Sequence, residues 1–142
     1  MTRITLEHAN AIIDAAMSEG AELKLKPLTV AVLDAGGHVI ALQRQDGAST
    51  MRPRIAIAKA SGALALGISS RKIADMATDR PTFVASLGPI SPSGVVPAAG
   101  GVIVVDADGA PIGAVGITGD TSDNDEACAI VGILASGHLV QS

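Results

Sequence analysis

The chain has 142 residues, a formal net charge of −4, and an apolar fraction of 48% that includes one Phe and no Trp or Tyr. An acidic, aromatic-poor chain lacks the clustered cations and stacking rings of a nucleic-acid footprint. The single cysteine, Cys128, excludes an internal disulfide and any multi-cysteine metal cluster.

The length fits one domain over residues 1–142. Thr5 reads as a helix N-cap with Glu7 in the first turn, followed by Leu6, Ala9, Ile13, Ala16, Met17 and Leu23 at helical spacing until Pro27. Leu28 to Asp34 reads as a buried strand, Ala35-Gly-Gly-His38 as a tight turn, and Val39 to Arg44 as the returning strand. A loop over Asp46 to Ser49 precedes a helix from Arg52 to Ile68, with Pro53 in its first turn. That helix is apolar nearly all round except at Lys59, which predicts burial on more than one side. Ser69 or Ser70 caps a short helix through Met76, Pro81 to Leu87 forms a short helical turn, and Gly88 to Gly94 is loop. Gly101 to Asp106 and Pro111 to Thr118 form a second hairpin around Ala107-Asp-Gly109. Thr121 caps a last helix running to the C-terminus. Two hairpins with helices between and after them indicate an α+β domain with an antiparallel sheet.

No apolar run approaches the roughly 18 residues of a membrane span, and the first residues, Met1 to His8, lack the apolar segment of a signal peptide. We therefore expect a cytoplasmic chain with no membrane or nucleic-acid partner. Aliphatic composition of this kind often leaves surface that a second subunit covers, so a homo-oligomer is expected.

The densest chemistry lies from Gly109 to Glu126. Here a glycine-laced strand enters a helix whose start carries Asp120, Asp123, Asp125 and Glu126. These carboxylates read either as an acid/base or metal site or as anions suited to the helix dipole. No calcium-loop spacing is present, and no metal is expected. Asp125 and Glu126 are adjacent, so on a helix they point about 100° apart. Gly109, Gly113, Gly116 and Gly119 match no phosphate-binding pattern and fit close backbone packing better. Arg52 and Arg54 sit at a helix start, where cations are disfavoured, which hints at an anionic ligand. A ligand pocket is expected where the Asp46–Arg54 segment meets the Gly119–Glu126 turn. Asp46, Arg52, Lys59, Gly116, Gly119, Asp120, Asp125 and Glu126 are its candidate residues, with Gly116 and Gly119 leaving backbone open to the ligand. A buried Lys59 would need a carboxylate partner, Asp120 or Glu126. His8, His38 and His138 show no metal-ligand spacing, and His8, early in the first helix, is the candidate haem ligand.

Asp34-Ala-Gly-Gly-His38, Arg44-Gln-Asp-Gly-Ala48, Ala58-Lys-Ala60, Ala98-Ala-Gly-Gly101 and Gly113-Ala-Val-Gly-Ile-Thr-Gly119 followed by Asp125-Glu-Ala127 together resemble the GlcG/HbpS-like family. That family includes haem-binding proteins and the C-terminal domain of PduO-type adenosyltransferases. The resemblance implies a profilin-like antiparallel sheet flanked by helices, and assembly as a dimer up to an octamer. It also implies small-molecule binding, with haem or a related tetrapyrrole as the named ligand. The competing expectation is a cofactor-independent isomerase or lyase acting on a small oxygenated acid. Arg52 or Lys59 would hold the carboxylate of that acid, and Asp46, Asp120 or Glu126 would move a proton.

Overall fold

The computed structural model describes residues 2–142. Helix α1 (Leu6–Glu22) starts as expected, with the Thr5 hydroxyl accepting from the His8 amide. Strands β1 (Thr29–Asp34) and β2 (Val39–Arg44) form the first hairpin. The Asp34 carboxylate closes its turn by accepting from the amides of Gly36 and His38. Helix α2 (Arg52–Leu66) stops at Gly67, whose φ of 74° only glycine adopts freely. Then follow α3 (Ser70–Asp79), α4 (Pro81–Ile90), β3 (Gly101–Val105), β4 (Pro111–Thr118), α5 (Ser122–Ala135) and β5 (Leu139–Val140).

Three boundaries differ from the sequence reading. Helix α3 extends past Met76 to Asp79. Helix α4 runs through Gly88 and Pro89 to Ile90, where a loop was expected. Pro89 falls in the last turn, where a missing N–H costs a single hydrogen bond. The last helix ends at Ala135 instead of reaching the C-terminus. Gly137, at φ 84°, reverses the chain there, and Leu139–Val140 then pairs with β3.

The five strands form one antiparallel sheet in the order β2-β1-β4-β3-β5. Strand alternation sorts its two faces. Val30, Val32, Val102, Val104, Val115 and Ile117 pack with α1 and α5 in the main core. Leu33, Ile103 and Ala114 face the opposite way, with α2. The sheet is thus flanked by helices on both faces, an α+β architecture. All residues from Ala58 to Ala63 of α2 are buried. The sheet covers one side of α2, and the Gly94–Val95 backbone presses against Gly62 on the other.

Candidate functional site

Strand β4 ends at Thr118, and α5 begins four residues later, with Gly119 and Asp120 making the turn. Thr121 caps α5 by accepting from the Asn124 amide. This geometry turns Asp125 inward. The residue is 1% exposed, and its Oδ1 accepts from the Asp120 amide. From the other helical layer, Lys59 of α2 passes the end of the sheet beside Gly100. The Lys59 Nζ donates to Asp125 Oδ2 at 3.3 Å and to the Ile117 carbonyl at 2.9 Å. A Cβ on Gly100, which has φ 131°, would lie 2.5 Å from the Ile117 carbonyl and 2.8 Å from that ammonium, so glycine keeps the space that Lys59 and its acceptor share. The pair ties α2 to α5 across the sheet end. Burial pushes the Lys59 pKa down and the Asp125 pKa up, against their mutual attraction.

Two turns before Lys59 on α2, the Arg52 Nη1 donates to the Thr118 hydroxyl at 2.7 Å. Asp120 lies nearby but serves the backbone. It accepts from the Lys26 and Thr121 amides and from Asn124, and these bonds hold its pKa down at about 2.

The candidate residues therefore divide. Arg52, Lys59, Asp120 and Asp125 gather around the end of β4. The partner of Lys59 is Asp125, whereas Asp120 or Glu126 was expected. Glu126 points away to Arg71 of α3, which also holds Asp123. Asp46 is exposed and makes no ion pair or side-chain hydrogen bond among the described residues. The open backbone expected at Gly116 and Gly119 is closed. A Cβ on Gly116 would collide with the Ala56 carbonyl, and one on Gly119 with the Pro27 carbonyl. Both positions allow close packing, as the absence of a phosphate-loop pattern suggested.

His8 lies far from this cluster. Helices α1 and α5 pack antiparallel, with Ile12 against Gly132 and His8 against His138. Asp125 and the end of α5 at Ala135 are separated by about 15 Å of helix. The His8 Nδ1 sits 3.2 Å from the Nε2 of His138, with the rings edge to face. His138 is 3% exposed, and burial and the neighbouring His8 push its pKa down, which favours the neutral imidazole. Sequence reasoning missed the roles of His138, Arg71, Thr29 and Thr118. Thr118 alone carried a signal, as the residue before Gly119 in the glycine-rich motif. Burial also pushes the Cys128 thiol up to about 11, which leaves it protonated and unreactive. Among the described residues, no group of three or more His, Cys, Asp and Glu side chains is placed to hold a metal ion. Among the described residues, no helix is long and apolar enough to cross a membrane.

A family model described as haem degrading protein HbpS-like matches residues 4–134. The chain belongs to that family. The crystal structure of HbpS superposes with a TM-score of 0.80 at 30% identity, over 94% of this chain and 90% of that one. A double mutant of HbpS from Streptomyces reticuli gives 0.78 at 31% identity, over 93% and 86%. The haem complex of PduOC shares the fold, with a TM-score of 0.86 at 23% identity over 99% of both chains. A comparison with curated proteins finds no match.

Proposed function

We propose that this protein binds haem or a related tetrapyrrole, with the His8 imidazole as the iron ligand. Membership of the HbpS-like family supports the ligand class, as does the haem complex of PduOC on the same fold. The observation that carries the reading is the His8–His138 contact at 3.2 Å. In the tautomer pair in which His138 accepts at Nε2, His8 donates from Nδ1 and keeps the lone pair of its own Nε2. That is how a ligating histidine is oriented by an outer partner. The Nε2 of His8 has no hydrogen-bond partner among the described residues, and the ring is half-buried. The donor set therefore fits a tetrapyrrole iron. An aliphatic surface for the macrocycle is at hand, since Leu6, Leu134 and Leu139, close in sequence to the two histidines, are all about half exposed. Bound haem would supply a redox-active iron centre, while the protein holds and orients it.

Titration of the protein with haemin, followed at the Soret band, is the test. We expect a saturable, shifted Soret absorbance in the natural chain, and at least a tenfold loss of affinity in His8→Ala. An unchanged Soret band in His8→Ala would remove His8 as the ligand.

A further inference from the structure

We propose that the start of α2 is a binding site for a small carboxylate, held by Arg52 together with the hydroxyls of Thr118 and Thr29. The site lies at the end of α5 opposite the His8–His138 pair, so it stands independently of the haem reading.

Three separate observations converge on it. The first is Arg52, a half-buried guanidinium that makes no ion pair with a carboxylate among the described residues. Its one side-chain partner is the neutral Thr118 hydroxyl, at 2.7 Å. A guanidinium has five donors in a planar fork, so most of this one remains available to a two-oxygen acceptor.

The second is Thr29. It is wholly buried, and its Oγ1 has no hydrogen-bond partner. A buried hydroxyl without a partner costs stability, and fewer than about one in ten buried polar groups is left that way. Thr29 stands directly opposite Thr118 in the β1–β4 register. Two residues along, Ala31 pairs with Gly116, and Gly116 lies under the Ala56 carbonyl of α2. Strand alternation therefore puts Thr29 and Thr118 on the α2 face together. The orphan hydroxyl lies beside the Arg52–Thr118 contact.

The third is the helix start. The N-cap residue of α2 is Met51, which supplies no side-chain hydrogen bond, and the first turn contains no acid. It carries Arg52 and Arg54 instead, with Lys59 two turns further on. The other long helices, α1 and α5, have a side-chain cap and an acidic first turn. The positive end of the dipole and an Arg52 guanidinium without a carboxylate partner disfavour the empty state and favour an anion. A planar carboxylate matches the guanidinium fork, accepting two parallel N–H bonds. One of its oxygens can take the hydrogen that the Thr29 hydroxyl has no partner for.

The test uses the whole chain in a carboxylate-free, phosphate-free buffer at fixed ionic strength. Sodium acetate is titrated against sodium phosphate and sodium chloride, with the Arg52 side-chain N–H and the Thr29 and Thr118 amides followed by heteronuclear NMR. We expect saturable shifts with acetate alone, with millimolar affinity. Arg52→Gln should weaken binding at least tenfold, and Arg52→Lys, which keeps the charge but loses the fork, should restore it only partly. Thr29→Val should weaken acetate binding several-fold without lowering the melting temperature, because it removes a hydroxyl that nothing in the fold satisfies. Equal shifts with chloride, preference for phosphate, or unchanged affinity in Thr29→Val would each overturn the proposal.

Discussion

Lys59 was conspicuous in the sequence as the lone cation on an apolar helix. The structure makes it a tie between layers. At 3% exposure it donates to the Ile117 carbonyl and Asp125 at once, and its burial closes the remaining N–H to a diffusing ligand. Removing one member of such a pair strands the other charge in the interior. Lys59→Met should therefore destabilise the fold by about 3–5 kcal/mol in urea denaturation. Replacing both partners with apolar residues should cost much less. If Lys59→Met instead left stability intact while abolishing ligand binding, the structural assignment would fail. The need for a carboxylate partner was legible in the sequence. Its identity was not, because two adjacent acids on a helix differ only in azimuth, and the packing of α5 sets which one faces inward. Asp125 faces Lys59, and Glu126 faces Arg71.

At the scale of elements, α2 rests on the sheet without intervening side chains where it crosses β4. Gly116 faces the Ala56 carbonyl, and Gly101 faces the backbone of Lys59. Small residues at the crossing set this depth, and the depth lets Lys59 reach past the sheet end. Gly116→Ala cannot be absorbed by rotating a side chain, since the obstacle is backbone. The helix must lift, and we expect a loss of about 3 kcal/mol or more, with a matching drop in melting temperature. Gly109→Ala is the control. A Cβ there meets nothing within 4 Å, although its φ of 83° still carries a smaller strain. Equal effects of the two substitutions would contradict the close-packing account. Capping residues made the helix starts at Thr5, Ser69 and Thr121 readable. The end of α5 and strand β5 were not readable. Two residues carry too little pattern, and β5 exists because β3 offers it an edge.

For the whole molecule, the apolar character of α2 does not by itself call for a partner, because the Gly94–Val95 segment of the same chain covers its outer side. The case for self-association rests instead on α4. This helix packs on α3 alone among the elements and exposes Phe83 and, at 80%, Ile90. We expect a homo-oligomer that buries this helix, with a mass that is a multiple of 14.1 kDa by light scattering at micromolar concentration. A monomeric mass would reject it.

The sequence by itself determined the α+β class, both hairpins, most of the helices and the family, because capping, turn chemistry and apolar periodicity are local signals read within a few residues. It also singled out Arg52, Lys59 and the acidic start of α5 as candidate binding residues. Only the tertiary structure decided which of these meet. Lys59 finds Asp125 across 66 positions of sequence, and His8 finds His138 across 130. Such pairings depend on how the helical layers close over the ends of one sheet. A difference of one residue in azimuth on α5, or of one strand in the sheet order, would pair other groups.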